Sequence, residues 1–279
     1  MNDEQSFLVE LRSAIASGSI TLPTLPDVAI KVRDAVDGES ASAREIAEIV
    51  TTDPSISVRL LQVANSPLYR GRTPIEDVHT AIGRLGTRMV RSLVTSLAMQ
   101  GLYNAASGAL DRRFRKQWEM SVEVAGMSRV LARLQPQLNA EQGMLAGLIH
   151  SIGTLPILVY AESIDELNHD EEQLDTLLER LSPIIGQQIL ETWDFPSSLV
   201  AVARHYNDPN YDGGPMADYV DLVIVARVQT LAGSFDAAAL NRWKESASFA
   251  KLGLSADIEV IEMAGVAEQL TDVNSLFLH

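Results

Sequence analysis

The amino-acid sequence predicts an all-α protein, and three observations favour this fold class. Apolar residues recur at spacings of three and four along most of the chain, as on the buried face of a helix. No segment combines sustained alternation of apolar and polar residues with the β-branched enrichment that strands show. Residues that start and stop helices stand between the apolar runs, so each run is expected to form its own helix.

The first half of the chain predicts short helices with strong start signals. The segment LPTLP breaks the chain, and its final proline opens the helix DVAIKVRDAV. Ser42 and Glu45 form a capping box, because hydroxyl and carboxylate each accept a hydrogen bond from a backbone N–H that the helix leaves free. Asp53 followed by Pro54 is a second start, an N-cap with proline at the first helical position.

A glycine and a weakly patterned stretch come next. Gly86 is expected to end the helix EDVHTAIGRL, and Thr87 is expected to cap the helix that follows. Residues 105–110, AASGAL, are small and polar, so we place a domain boundary in this stretch. The two predicted domains are residues 1–108 and 109–279.

The second half predicts longer helices and one loop. Asn139 is expected to cap the helix that ends near His150, and Pro156 to interrupt the short apolar piece after it. The composition of NDPNYDGGP predicts a loop. Further helices are expected over residues 111–134, 163–180, SPIIGQQILETW, SSLVAVARHY and 217–232, with shorter helices after them.

Composition and charge argue against several classes of protein. A hydrophobic content of 46% indicates a folded chain, and the absence of cysteine excludes disulfides and thiolate zinc sites. A net charge of −15 argues against nucleic-acid binding, which relies on lysine and arginine to displace counterions. The acidic start MNDEQ lacks the bases of a secretory signal. We therefore expect a cytoplasmic protein without a membrane helix and without a cofactor.

Basic residues are concentrated in one part of this acidic chain. Residues 59–116 contain ten lysines and arginines but only three acids. These are ordinarily solvated helix faces, and the alternative is a surface that binds an anion or an acidic partner. Arg84, Arg88 and Arg91 are spaced four and three residues apart, so they share a face only if one helix continues through Gly86. The candidate residues for this surface are Arg84, Arg88, Arg91, Arg112, Arg113 and Arg115.

The segment GLIHSIGTLPILVYAE around His150 resembles the central motif of the HD superfamily of metal-dependent phosphohydrolases. Over residues 19–232 the chain resembles the HDOD family, signalling relatives of the HD-GYP cyclic-di-GMP phosphodiesterases. This resemblance implies an N-terminal helical lobe packed on an HD-like helical bundle. Besides the central motif, it rests on LPTLPDVAIKVRDAV, AREIAEIVTTDPSISVRLLQVANSPLY, TPIEDVHTAIGRLGTRMVRSLV, QWEMSVEVA, IIGQQILETWDFPSSLVAVARHY and DLVIVARVQTLA.

The resemblance also implies where metal ligands would stand. The His-Asp signature reads His150-Ser151 here, and the family's paired histidines read His205-Tyr206. The remaining expected positions fall at Trp118 or Ser121, at Ser182 or Pro183, and near Ala226 and Arg227. A catalytic metal needs about three protein ligands from histidine nitrogen or carboxylate oxygen, and these positions keep two histidines and no carboxylate. We interpret the HD-site positions His150, Ser151, His205, Tyr206, Ser121 and Arg227 as vestigial, without a catalytic residue or metal.

Three functions remain open at this point. The first is a non-catalytic signalling module that binds other proteins in bacterial regulation, a context that the resemblance implies. The second is a metal-dependent phosphohydrolase that uses His150 and His205 with carboxylates such as Asp194, Asp208 or Asp212. The third is a sensor that binds a nucleotide or small anion in the vacated metal cavity. The expected partners are signalling proteins, with an acidic partner or a nucleotide as further possibilities.

Overall fold

The computed structural model shows helices joined by turns and loops. It describes residues 2–38, 41–103, 108–165, 167, 170–231, 237–255, 257, 260–262 and 265–278. None of these described residues lies in a strand, and the predicted all-α fold is confirmed.

The helices are numbered in chain order. Those of the first half are α1 (Asn2–Ala16), α2 (Asp27–Asp37), α3 (Ala43–Thr51), α4 (Pro54–Asn65), α5 (Val78–Leu85) and α6 (Thr87–Leu102). Those of the second half are α7 (Gly108–Arg133), α8 (Ala140–Ile149), α9 (Thr154–Glu162), α10 (Glu171–Thr192), α11 (Ser197–His205), α12 (Tyr219–Leu231), α13 (Ala237–Lys244), α14 (Ala247–Lys251) and α15 (Val266–Phe277).

The predicted helix starts are formed by the side chains that the sequence indicated. Ser42 Oγ accepts a hydrogen bond from Glu45 N at 3.2 Å, and Glu45 Oε2 accepts one from Ser42 N at 2.7 Å. Asp53 caps α4 and Asn139 caps α8, each through a side-chain oxygen that accepts a backbone N–H of the first turn. These caps satisfy donors that the helices themselves leave free.

Gly86 separates α5 from α6 and changes the chain direction. Its φ of 84° lies in the region that favours glycine. Gly86 is itself the N-cap of α6, so the prediction that Thr87 caps this helix is wrong, and Thr87 is the first helical residue. Because no helix continues through Gly86, Arg84 does not share one helical face with Arg88 and Arg91.

Helix α10 differs most from the sequence prediction. The acidic segment and SPIIGQQILET form one helix, which starts after the N-cap Asp170 rather than at residue 163 and contains Pro183 in its interior. Proline has no N–H, so the carbonyl of Glu179, four residues earlier, lacks its helical donor. Asn207 Nδ2 donates to that oxygen at 3.2 Å. A side chain from the segment just after α11 therefore satisfies the carbonyl that Pro183 leaves free.

Helix α7 forms the centre of the second half and packs against α8, α12 and α15. A Cβ at Gly147 in α8 would lie 2.4 Å from the Cα atom of Ala125 in α7, so only glycine fits this crossing. Pro156 does not interrupt a helix, because it lies in the first turn of α9, where its missing N–H costs no helical hydrogen bond.

The helices of the first half contact those of the second half mainly through α6, which packs on both α2 and α8. The boundary predicted between residues 108 and 109 falls at the start of α7. Residues 104–107 lie outside the described residues. The boundary therefore stays a prediction.

A buried ion pair joins α7 to α8 and to the loop after α4. Arg129 is 1% exposed, and its Nη2 atom lies 3.0 Å from Glu141 Oε1. The Tyr69 hydroxyl donates to the same carboxylate, and the Arg129 guanidinium lies 5.4 Å from the centre of the Tyr69 ring. Burial of the tyrosine raises its pKa, so the phenol remains a donor. This cluster links Tyr69 of the first half to the central helices of the second.

One stretch, Ala140–Glu162, is long and apolar enough to cross a membrane by length and composition, with a mean hydropathy of 1.7. In the structure this stretch is α8, a turn and α9, and 89% of its apolar window is buried inside the protein. Burial against other helices therefore accounts for its apolar character.

Candidate functional site: a polar cluster at the HD-motif positions

Most of the HD-motif positions lie close together in the second half of the fold. They are held by α7, by the turn after α8, by the interior of α10, by the end of α11 and by α12. Five of their side chains are almost completely buried: Ser121, His150, Ser151, Ser182 and Tyr206. A polar cluster therefore occupies an otherwise apolar core.

His150 is 1% exposed and neutral. Its Nδ1 atom lies 2.6 Å from the carbonyl oxygen of Gly147, and a carbonyl only accepts, so Nδ1 carries the hydrogen. Its ring meets the Tyr206 ring edge-on, with ring centres 5.0 Å apart. Burial, together with the nearby Arg227 guanidinium, lowers the pKa of His150 to about 3. The imidazole therefore remains unprotonated throughout the physiological pH range.

The serine at the second position of the signature forms hydrogen bonds with neutral groups. Ser151 Oγ accepts a hydrogen bond from Gln117 Nε2 at 2.7 Å and lies 3.2 Å from Ser121 Oγ. Tyr206 donates from its hydroxyl to Ser182 Oγ at 3.1 Å. Burial raises the pKa of Tyr206 despite the nearby Arg227 cation, so its phenol stays protonated. These side chains satisfy one another as neutral groups.

Arg227 places a positive charge beside the cluster. Its guanidinium lies 4.7 Å from the centre of the Tyr206 ring and 5.9 Å from that of Trp243. Its Nη1 atom donates to the Tyr206 carbonyl at 3.0 Å and to Asn207 Oδ1 at 3.1 Å. Because Asn207 also donates to the Glu179 carbonyl that Pro183 leaves free, Arg227 holds together α12, the end of α11 and α10. Arginine stays charged at neutral pH even though burial lowers the pKa of Arg227.

His205 lies outside the polar cluster. Its ring is half-exposed and packs against the ring of Tyr211, with centres 5.2 Å apart. Two carboxylates considered as further metal ligands are engaged elsewhere. Asp208 Oδ1 accepts a hydrogen bond from the backbone of Asn210 at 3.0 Å, and Asp212 Oδ1 lies 3.0 Å from Lys251 Nζ.

The donor groups at these positions do not fit a catalytic metal. Metals of this kind take about three protein ligands, chiefly imidazole nitrogen and carboxylate oxygen. The cluster offers the Nε2 atom of His150 and neutral hydroxyls, and the Arg227 cation beside it would repel a divalent ion. In the described ranges, no group of three or more histidine, aspartate and glutamate side chains could hold a metal ion. We therefore derive no reaction step through a metal.

The arginines of the predicted anion or partner surface are dispersed. Arg84 donates to the carbonyl of Thr73 at 2.9 Å and does not share a helical face with Arg88 and Arg91. The Nη2 atom of Arg113 lies 3.3 Å from Glu171 Oε1, and Arg115 donates to Asp111 Oδ2 at 2.7 Å. Arg112 is exposed on α7. Only two of the six candidates, Arg88 and Arg91, line one cleft together.

Sequence reasoning missed residues that bond to the polar cluster and to Arg227. Gln117 and Asn207 satisfy Ser151 and Arg227 respectively, and neither stands at a position that the HD motif marks. No local signal marked them, because Asn207 meets the Glu179 carbonyl that Pro183 leaves free only when α10 and α11 pack together.

Solved structures share this architecture over nearly the whole chain. A protein from Shewanella amazonensis SB2B, named provisionally as a metal-dependent phosphohydrolase, is 29% identical, with 99% of this chain and 100% of that chain covered and a TM-score of 0.82. An HDOD domain protein of unknown function from Geobacter sulfurreducens is 20% identical, with 99% of both chains covered and a TM-score of 0.76. Among curated proteins, one without assigned function from Treponema pallidum (strain Nichols) is 19% identical over 216 residues, or 74% of this chain. This chain spans 42% of that relative's length.

The family model of the HDOD domain matches residues 22–209, which is most of the chain. The match includes the first-half helices α2 to α6 and the bundle helices α7 to α11, and it thus contains most of the polar cluster described above. The expected architecture of an N-terminal helical lobe packed on an HD-like bundle is confirmed. The chain belongs to the HDOD family.

Proposed function

We propose that this HDOD chain is a non-catalytic regulatory module that acts in bacterial signalling by binding other proteins in the cytoplasm. The donor chemistry of the polar cluster is the observation that carries this proposal. Where a metal-dependent phosphohydrolase needs imidazole or carboxylate ligands, this chain has Ser121, Ser151, Ser182 and a protonated Tyr206. A solved structure from Marinobacter aquaeolei VT8, named provisionally as a signal transduction protein, has the same fold at 22% identity.

The hydrogen bonds within the cluster give a second reason. Its hydroxyls face one another and the Gln117 amide, and Arg227 is held by Tyr206 and Asn207. A catalytic site needs groups that remain free to bind water, metal or substrate. Here the hydroxyl groups stabilise the packing of five helices instead. The same closure argues against a nucleotide sensor at this position, because a ligand would first have to break these contacts.

The hydrolase alternative draws on the provisional name of the Shewanella amazonensis protein, whose sequence is 29% identical. That name describes a different chain, and fold similarity alone does not carry an activity. The donor groups at the positions that would hold a metal in this chain support the non-catalytic function.

A phosphodiesterase assay tests the proposal. The purified chain is incubated with Mn²⁺ and bis(p-nitrophenyl) phosphate, and release of nitrophenolate is measured. We expect the same rate as in the matching solution without protein, because the polar cluster cannot hold the metal that would activate water.

The variants His150→Asn and His205→Asn separate a genuine site from contamination. Asparagine at position 150 can still donate to the Gly147 carbonyl, and His205 lies outside the cluster. Metal-dependent hydrolysis that is lost in His150→Asn and kept in His205→Asn, with both variants folded by circular dichroism, would overturn the proposed function.

A further inference from the structure

We propose that a cleft between α6 and α8 binds the phosphate group of a small molecule such as a nucleoside monophosphate. The cleft has a volume of about 380 Å³ and lies where α2, α6 and the start of α8 meet. This volume falls within the range of small-molecule sites, roughly 300–1,000 Å³. It is separate from the polar cluster around His150. The residues that define it are Asp37, Arg88, Arg91, Asn139 and Gln142.

The cleft carries an excess of positive charge. Arg91 donates to Asp37, so this pair is neutral as a unit. Arg88 is exposed and forms no ion pair or hydrogen bond within the described part of the chain. One guanidinium therefore remains available beside a second that is already held in place. Guanidinium groups suit phosphate because their planar N–H fork matches two of its oxygens.

The amide side chains of the cleft keep their NH₂ groups available as donors. Asn139 Oδ1 already accepts the backbone N–H of Gln142 at 2.9 Å, as the cap of α8. Gln142 Oε1 already accepts the Tyr219 hydroxyl at 2.8 Å. The NH₂ group of each amide therefore remains free to donate to a ligand. Two guanidinium and two amide donors thus line one cleft in which the single carboxylate, Asp37, is paired with Arg91.

This arrangement favours a phosphate over a cation or an apolar ligand. A phosphate oxygen accepts several hydrogen bonds, and its negative charge would supply the counter-ion that Arg88 lacks in the described structure. Because α6 and α8 belong to the two halves of the fold, a bound phosphate would bridge them through Arg88 and Asn139. If the chain is the regulatory module proposed above, phosphate bound in this cleft would be one of its inputs, and that role rests on the proposed function. Phosphate binding itself does not depend on it.

Isothermal titration calorimetry of the full chain tests the proposal with inorganic phosphate and AMP as probes, in a buffer with physiological chloride. We expect saturable binding of both. Tighter binding of AMP would identify a nucleotide as the natural source of the phosphate, and equal binding would identify free phosphate. Binding of a phosphoserine peptide but of neither probe would overturn the proposal in favour of a protein partner.

Two variants of the cleft make the test specific. Arg88→Ala removes the free guanidinium, and Asn139→Asp replaces the amide donor by a carboxylate while keeping an oxygen that caps α8. We expect each to weaken phosphate binding by about tenfold or more, since each affects a hydrogen bond to a charged group. Arg112→Ala is the matched control, because it removes an exposed arginine outside the cleft.

Equal affinity in Arg88→Ala, Asn139→Asp and the native chain would overturn the proposal, as would the absence of any saturable heat with either probe. The assay does not depend on catalysis. Discovery of metal-dependent hydrolysis would remove the proposed regulatory function and leave the measured affinity for phosphate intact, so the two failures are distinguishable.

Discussion

Replacement of Glu141 by glutamine is expected to lower the free energy of unfolding by about 3–5 kcal/mol, the usual cost of removing one partner of a buried ion pair. Arg129 is 1% exposed and its Nη1 atom already lacks an acceptor in the described structure. Without the Glu141 carboxylate, its charge has no counter-ion among the core residues that the structure describes. Glutamine has the same shape, so the change tests charge rather than volume.

Urea unfolding followed by circular dichroism measures this effect. The double variant Arg129→Met with Glu141→Leu removes both charges and is expected to recover most of the lost stability. Asp111→Asn is the matched surface control, because the Asp111–Arg115 pair is exposed and such pairs contribute about 0–1 kcal/mol. If Glu141→Gln cost no more than Asp111→Asn, the buried pair would not be the stabilising contact described here.

His150 is expected to make folding sensitive to acid. Its pKa is about 3 in the folded protein, below the ordinary histidine value of 6.5. As the pH falls below 6.5, the unfolded chain binds a proton at this imidazole and the folded chain does not. The contribution is therefore fully present above pH 6.5 and is lost as the pH falls toward 3. Linkage gives a loss of about 2–3 kcal/mol between pH 7 and pH 4.5.

The comparison with His150→Asn isolates this contribution from the other titrating groups. The stability difference between pH 7 and pH 4.5 should be smaller in the variant by about 2–3 kcal/mol. Between pH 7 and pH 8.5 the two proteins should differ by a constant amount, because His150 is neutral in both states. An identical acid sensitivity in native chain and variant would mean that the folded imidazole is accessible to protons.

Local signals in the sequence predicted much of the fold. The capping box at Ser42, the Asp53-Pro54 start and the Asn139 cap act through hydrogen bonds that span two or three residues, so their pattern is visible without tertiary structure. Gly86 was also recognisable as a helix end. The error at Thr87 was one of position, because a glycine can cap the next helix without a side chain.

Tertiary contacts explain the larger errors. Pro183 normally breaks a helix, and it is accommodated in α10 because Asn207 supplies a donor from another helix. A pattern limited to neighbouring residues cannot reveal such compensation.

The candidate site was likewise predictable only in part, since its positions follow from the sequence and its contacts from the packing of the helices. The family motif identified where His150 and its neighbours stand, but only the packed helices show that Ser151 bonds to Gln117 and that Arg227 lies over Tyr206. The cleft of Arg88 and Asn139 was hidden for the same reason, since these residues are far apart in sequence and meet only where α6 packs on α8.

Metal content is the most direct test of the claim that the HD-motif positions no longer support catalysis. Tag-free protein is incubated separately with manganese, iron and zinc, dialysed, and measured by plasma mass spectrometry. We predict far less than one ion per chain, because His150 is the sole metal-binding group of its polar cluster. One or two ions per chain that disappear in His150→Asn would contradict this account and show that the cluster rearranges into a metal centre.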